Sequence, residues 1–184
     1  MTGAPLPFAM APAGQGEAFW WFGQLAVIKA DAAHTRDRYT LVELTAPPSY
    51  VSPRHVHHRE DEAFWVLEGS TRFEVGDVIV DAAPGTYLIA PRDTPHRWAA
   101  GPEGARLLFL FTPGGFERLI AATGVPAGAR TVPPPGLTVD PRVDSALRRH
   151  GTELLAADQE LSILRPASRS SKSMAILRLS SSLR

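Results

Sequence analysis

Short runs of apolar, β-branched and aromatic residues recur along the chain between residues 19 and 112. Each run has at most eight residues and is bounded at or near its ends by Gly, Pro, Asp or Ser, which is typical of strands joined by tight turns. The runs are AFWWF, QLAVIKA, YTLVELTA, AFWVLEG, TRFEV, DVIVDA, TYLIA, HRWAA and ARLLFLF. No helix-length periodic segment interrupts them, so the pattern predicts an all-β fold, an antiparallel sandwich or barrel.

Two of the links between these runs have the composition of tight hairpin turns. One is the Glu-Gly-Ser sequence at residues 68–70, and the other is Gly76 followed by Asp77. Glycine adopts positive φ angles without steric cost, as such turns require. We therefore predict a β-hairpin at each position.

The pattern changes after residue 112. Thr112 and Pro113 resemble a helix cap and first turn, so a short helix is predicted over residues 114–123. A proline-rich crossing loop follows, and a second helix is predicted over residues 141–156. We expect both helices to pack outside the barrel.

These changes divide the chain into four predicted segments. They are an N-terminal arm (1–18), the barrel (19–125), a proline-rich crossing loop with the C-terminal helix (126–164), and a basic Ser/Arg-rich tail (165–184). The tail has five Lys or Arg residues and no acid, which leaves 14 basic and 19 acidic residues elsewhere. A mildly acidic body argues against nucleic-acid binding, which needs a basic face. We expect the tail to be loose and to contribute little to stability.

Composition argues against a cysteine-based metal site and against a secreted or membrane protein. The chain has no cysteine, so a metal site would have to use His, Asp or Glu. The N-terminus has neither the positive start nor the long apolar run of a secretory signal, and the apolar-rich residues 19–28 are too few to span a bilayer. We therefore expect a cytoplasmic protein without a membrane partner.

The segment PRHVHHREDEAFWVLEG, residues 53–69, contains the residues best suited to chemistry. On a strand, His55 and His57 point to the same face about 6.6 Å apart, close enough to bind one ion. A loop of four residues leads to Glu62, which is predicted to begin the next strand and to return beside the pair through a hairpin. Glu60 is an alternative carboxylate, and His58 is predicted to face away as a surface residue.

A fourth ligand is predicted at His96, which follows two prolines at the start of a separate strand. The apolar walls of the pocket are predicted to be Phe64 and Val66, on the face of Glu62, and Trp98, on the face of His96. Three imidazoles and one carboxylate would leave open positions on a divalent Fe, Mn, Ni, Co, Cu or Zn ion, as expected for a site that handles substrate.

These residues resemble the two motifs of the cupin superfamily. The first motif is matched by His55, His57, Glu62 and Gly69, and the second by Gly85, Pro91 and His96. The sequence departs from the family at three loop positions, where Ser49 and Asp93 replace glycines and Ala100 replaces an asparagine. Over residues 20–125 the chain is most similar to small single-domain bacterial cupins described as quercetin-dioxygenase-like.

The resemblance implies a double-stranded antiparallel β-barrel, or jelly roll, that binds one divalent metal on His55, His57, Glu62 and His96. It implies a metal-dependent enzyme, most simply a dioxygenase, acting on a small oxygenated, aromatic or enolic molecule with Glu62 as catalytic base. The alternatives are a non-oxidative isomerase, cyclase or lyase, a non-enzymatic binding protein, and a cupin without its metal. A homodimer is also implied, and the aromatic run at residues 19–22 supports it, since two of its side chains need cover from a partner or from the C-terminal helices.

Overall fold

The computed structural model describes residues 10–135 and 143–155. Within these residues the chain forms mostly strands, which pair antiparallel, and three short helices. The strands are β1 (Glu17–Trp21), β2 (Gln24–Ala30), β3 (Thr40–Ala46), β4 (His55–His57), β5 (Asp61–Val75), β6 (Val78–Ala82), β7 (Tyr87–Ala90), β8 (His96–Thr112), β9 (Val125–Pro126) and β10 (Thr152–Leu154). The helices are α1 (Ala32–Thr35), α2 (Glu117–Thr123) and α3 (Val143–Arg149).

Two long strands, β5 and β8, build the barrel by passing from one layer of the sheet to the other. The first part of β5 lies between β7 and the second part of β8, which continues through β3, β2 and β1. The second part of β5 lies between β6 and the first part of β8, which continues through β4 and β10. Every pairing between described strands is antiparallel, which confirms the predicted all-β jelly roll.

The bend in β5 replaces one of the two predicted hairpins. Gly69 has φ +77°, and a Cβ atom there would lie 2.2 Å from the carbonyl oxygen of Gly104 on β8. The glycine therefore serves a bulge and a close approach between strands, and the chain bends without reversing. The hairpin prediction at residues 68–70 is wrong, whereas the turn at Gly76 joins β5 to β6 as predicted.

The core fills the space between the two layers with alternate residues of each strand. Phe64 and Val66 are each 1% exposed, whereas Trp65 between them is 48% exposed. The rings of Phe73 and Phe109 lie 4.9 and 4.8 Å from that of Phe64. Burial of each such side chain contributes about 1.5–3 kcal/mol, so the two-residue period that predicts these strands also accounts for their stability.

Later parts of the same chain cover the aromatic run. The indole of Trp21 donates a hydrogen bond to Thr123 of α2, and the indole of Trp20 donates to the carbonyl of Thr131 in the proline-rich segment. A two-residue turn with positive φ at Phe22 and Gly23 joins β1 to β2. The need for cover therefore no longer argues for a dimer.

The helices are shorter than the sequence predicts. Gly115 has φ +126°, which is not helical, so α2 begins only at Glu117 and Thr112 is not its cap. Gly151 has φ +80° and ends the second helical region. The predicted helix over residues 141–156 is therefore wrong in its second half, where β10 instead pairs with β4.

Some predicted segments lie outside the described residues. They are the first part of the N-terminal arm, part of the crossing loop and the basic tail at 165–184. Among the helices in the described ranges, none has the length and apolar character needed to cross a bilayer.

Candidate metal centre

The four residues predicted as ligands lie together inside the barrel. Each offers one nitrogen or oxygen atom, and these atoms are all within 4.8 Å of one another. Three of the four side chains are almost fully buried, and His55 lies at the edge of the cluster. This cluster, the His/Glu group, consists of His55, His57, Glu62 and His96.

The histidines come from one layer of the barrel. His55 and His57 lie two residues apart on β4 and on the same face of it, with ring centroids 4.8 Å apart. His96, at the start of β8, is the direct cross-strand partner of His55, and their ring centroids are 4.3 Å apart. His96 therefore begins a separate strand, β8, and this strand lies next to the one that carries the other two histidines.

Glu62 reaches the histidines from the opposite layer. In the described structure β4 pairs with β8 and β10 but not with β5. The predicted hairpin that would bring Glu62 beside His55 and His57 is therefore wrong. The chain instead crosses between layers through residues 58–60 and enters β5 at Asp61. The residue is the predicted one, but it faces the histidines across the interior.

The hydrogen bonds around the rings turn the three Nε2 atoms toward one point. The Nδ1 atoms of His55 and His96 lie 2.9 and 2.8 Å from the carbonyl oxygens of Pro53 and Thr94. A carbonyl oxygen only accepts, so each of these Nδ1 atoms carries a proton, and the Nε2 atoms face the centre. His57 Nδ1 lies 3.1 Å from the hydroxyl of Thr152 on β10.

One carboxylate oxygen lies where the three nitrogens converge. Glu62 Oε2 is 2.7 Å from Nε2 of His96, 3.1 Å from that of His57 and 3.7 Å from that of His55. Burial alone would raise the pKa of Glu62, but the three histidines outweigh it and hold this pKa well below the ordinary value. The carboxylate is therefore ionised.

The histidines respond unequally to burial. Desolvation lowers the pKa of His57 to about 4, although Glu62 opposes the shift. Desolvation also acts on His96, but there the hydrogen bond to Glu62 prevails and the pKa is raised. A neutral His57 is suited to metal binding because only unprotonated imidazole can be a ligand.

One atom of the group lacks a hydrogen-bond partner. His57 Nε2 is buried and makes no hydrogen bond of good geometry, although Glu62 Oε2 lies 3.1 Å away; it is one of three such side-chain atoms in the described part of the chain. Buried polar atoms are nearly always paired in folded proteins, so this one fits the role of a metal ligand. A metal ion bound by the His/Glu group would satisfy it.

A cavity of about 40 Å³ lies beside the group. Trp98 lines it as predicted, but Phe64 and Val66 do not; they lie in the core, where the Phe64 ring is 6.1 Å from that of His96. The other lining residues are mostly apolar, and several come from the turn after β1, from the residue before α2 and from the C-terminal segment. They include Phe22, Phe116, Leu147 and Leu154, none of which sequence patterns associate with a site.

The alternative ligands lie outside the group. His58 is exposed and forms an ion pair with Asp93, at 2.6 Å, in agreement with its predicted surface role. Glu60 is buried but is not part of the cluster. Ser49 and Asp93, where the cupin motifs have glycine, have φ of +56° and +61°, so they keep the left-handed backbone that glycine would adopt there.

Comparisons with known proteins agree with this geometry. The sequence model described as "Cupin domain" matches residues 42–111, a range that contains the whole His/Glu group. Quercetin 2,3-dioxygenase from Bacillus subtilis (strain 168) is 26% identical over 121 residues. That alignment covers 66% of this chain but only 36% of the relative, so the chain spans about a third of that protein.

Solved structures show the same fold. An RmlC-like cupin from Shewanella frigidimarina NCIMB 400 has a TM-score of 0.53 and 18% identity, over 64% of this chain and 99% of its own. Oxalate decarboxylase from Bacillus subtilis has a TM-score of 0.53 and 22% identity, over 61% of this chain and 30% of its own. With the jelly-roll topology, these similarities show that the chain contains a cupin domain at residues 42–111.

Proposed function

We propose that this protein is a metal-dependent dioxygenase that acts on a small oxygenated molecule with an aromatic or enolic group. One observation carries the proposal. Three imidazole nitrogens and a carboxylate oxygen lie within 4.8 Å of one another, and three of these residues, His55, His57 and Glu62, line a cavity whose other lining is mostly apolar. Such a site combines a place for a metal with a space that excludes water.

The donor set determines which ions fit. Imidazole nitrogen and a single carboxylate suit divalent Fe, Mn, Ni, Co, Cu or Zn, whereas Mg and Ca prefer oxygen ligands. We propose that the His/Glu group holds one such ion. When bound, the ion would supply open coordination positions and Lewis acidity to a chelating substrate.

Glu62 is the proposed catalytic base. Its carboxylate is ionised and buried, so it can accept a proton from a substrate hydroxyl. The hydrogen bonds on the Nδ1 atoms keep the imidazoles oriented during this transfer. The apolar walls, including Trp98, exclude bulk water from the ionised substrate.

The similarity to quercetin 2,3-dioxygenase supports an oxidative reaction over a non-oxidative one. The His/Glu group itself would also serve an isomerase, cyclase or lyase, because each can use a Lewis acid and a carboxylate base. Consumption of oxygen is therefore the measurement that separates these classes.

The test combines elemental analysis with an oxygen electrode. Protein purified without chelator should contain one transition metal per chain and should consume oxygen with a member of a panel of catechols, flavonols and enols. Glu62→Gln should retain most of the metal and lose nearly all oxygen uptake, since it removes the base. Turnover without oxygen uptake would place the protein among the non-oxidative cupins, and binding without turnover would make it a binding protein.

We also propose the homodimer that the family resemblance implies. The outer face of β5 and β7 exposes Trp65, Tyr87 and Ile89, and the Trp65 and Tyr87 rings are 6.4 Å apart. Clustered exposed apolar residues are typical of protein interfaces. Light scattering at micromolar concentration should give twice the chain mass, and Trp65→Ser should reduce it; a monomer would contradict the proposal.

A further inference from the structure

A second residue of the cavity also lacks a hydrogen-bond partner. Three buried side-chain atoms in the described residues are unpaired, and two of them belong to residues that line the cavity. One is His57 Nε2, which the proposed metal would satisfy. The other is Oε1 of Gln24, a side chain that the proposed metal site does not use.

Gln24 is paired on one side only. The residue is 2% exposed, and its Nε2 donates a hydrogen bond to the Tyr50 hydroxyl at 2.8 Å. Among the described residues the Tyr50 hydroxyl accepts this bond and donates none. The Gln24–Tyr50 pair therefore offers the cavity one free acceptor and one free donor, and rotating the amide by 180° would preserve that balance.

The surrounding structure holds the pair in place. Gln24 directly follows the turn at Phe22 and Gly23, where a Cβ atom on Gly23 would lie 3.7 Å from the Tyr50 ring. The Tyr50 ring lies 5.3 Å from that of Trp98. Trp98 is two residues, or about 6.6 Å of strand, from His96, so the pair lies to one side of the His/Glu group.

A group that both donates and accepts a hydrogen bond fits this pair best. A hydroxyl does both, whereas a carbonyl oxygen only accepts and an ammonium only donates. The other polar side chains of the cavity wall, Ser52 and Thr152, each have their hydroxyl oxygen in a hydrogen bond within the protein. Apart from His57 Nε2, Gln24 Oε1 is therefore the buried side-chain atom of this wall that lacks a partner among the described residues, and the Tyr50 hydroxyl lies beside it.

We infer that Gln24 and Tyr50 bind a substrate hydroxyl other than the groups held by the His/Glu group, and so determine substrate specificity. This inference rests on the proposed function, because it places the substrate between the two sites. The substrate class is then a small chelating molecule with a further hydroxyl, such as a polyphenol rather than a simple diol.

Three small phenols test the inference on protein loaded with Zn²⁺, which undergoes no redox turnover. Catechol has only two adjacent hydroxyls, whereas pyrogallol and 1,2,4-benzenetriol add a third hydroxyl at different positions. Dissociation constants are measured anaerobically by calorimetry. The protein should bind at least one triol about tenfold more tightly than catechol, because the third hydroxyl pairs the free atoms.

Gln24→Met should reduce this preference to about twofold or less while leaving zinc content and catechol affinity unchanged. Tyr50→Phe should weaken the preference as well, and it carries the test if Gln24→Met fails to fold. Gln15→Met is the matched control, since Gln15 is exposed and outside the cavity lining, and it should change nothing.

The outcomes separate the two proposals. If catechol binds but the third hydroxyl brings no gain, or if the gain survives both substitutions, the inference is wrong while the metal site stands. If the protein takes up no zinc, or zinc-loaded protein does not bind catechol, the proposed function itself is wrong and this inference falls with it.

Discussion

Glu60 and Glu62 stand two residues apart and are both buried, yet their surroundings differ. Glu62 has three histidine nitrogens within 3.7 Å of one oxygen, and its pKa lies well below the ordinary value. Glu60 has one buried oxygen without a hydrogen-bond partner, and burial raises its pKa to about 7 against the pull of Arg59. The hydrogen-bonding and charged neighbours of a buried carboxylate, rather than its depth of burial, decide whether it is ionised.

The two carboxylates differ in what their burial achieves: Glu62 belongs to the His/Glu group, whereas burial of Glu60 destabilises the fold. The turn at residues 58–60 carries the chain from one layer to the other, and Glu60 is buried on that path without gaining a partner for Oε2. At Glu62 the chain reaches the layer that faces the histidines. A buried charge with converging partners indicates a site, whereas one without them is a local destabilisation.

Removing a member of the paired cluster should have the largest effect. His57→Ala takes away one of three nitrogen donors, so metal affinity should fall by more than about 100-fold. Elemental analysis after dialysis and competition with a metal-binding dye measure this change. His58→Ala is the control, because His58 is exposed and outside the cluster; a His57→Ala protein with full stoichiometric metal would refute the assignment.

Replacing Glu60 by a neutral side chain should stabilise the protein, and the gain should depend on pH because Glu60 titrates. Its folded pKa, about 7, lies above the ordinary 4.5, so the carboxyl contributes its full stability below pH 4.5 and loses it as pH rises through 7. Glu60→Gln should therefore raise the free energy of unfolding by about 1–3 kcal/mol at pH 8 and change it little at pH 4.5.

Urea denaturation at both pH values measures the difference between the variant and the parent protein. Glu17→Gln provides the control, since Glu17 is exposed and its substitution should be neutral at either pH. Equal effects of Glu60→Gln at the two pH values would show that the carboxyl is not desolvated as described.

The hydroxyl of Thr152 contacts His57 from outside the His/Glu group, so it tests how far the support of a ligand matters. It lies 3.1 Å from Nδ1 of His57, so Thr152→Val leaves that nitrogen without its partner and the ring less firmly oriented. Metal affinity should fall about tenfold, and Thr152→Ser, which keeps the hydroxyl, should restore it. Loss of affinity in both variants would point instead to a packing role for the methyl group.

The smallest effect is expected at Gln24 and Tyr50. Each single substitution, Gln24→Met or Tyr50→Phe, leaves the other residue without a partner and should lower the unfolding free energy by about 1 kcal/mol. The double variant removes both polar groups and should lie close to the parent protein. Thermal or urea unfolding of all four proteins forms a double-mutant cycle, and additive losses would contradict the pairing.

Local pattern was sufficient for most of the barrel and for the identity of the cluster. The two-residue period correctly assigns Phe64 and Val66 to the interior and Trp65 to the surface. The His-x-His spacing likewise places His55 and His57 side by side, because alternation along a strand is a local property.

Long-range pairing accounts for the errors. The route to Glu62 depends on β4 pairing with β8 and β10, segments about 40 and 95 residues later, and nothing near His57 encodes that choice. Gly69 has the composition of a turn, but its role is set by Gly104 on the neighbouring strand. Gln24 gives no signal in the sequence, since its proposed role rests on an atom that lacks a hydrogen-bond partner in the folded cavity.

The pairing of β10 with β4 also sets an order of events during synthesis. His55, His57, Glu62 and His96 all precede residue 100, whereas Thr152 and Leu154, which complete the wall around His57, are made more than fifty residues later. On the ribosome the ligands can therefore meet while that side of the barrel is still uncovered. β10, the last of the described strands, is therefore added to that side of the barrel after the four residues of the His/Glu group.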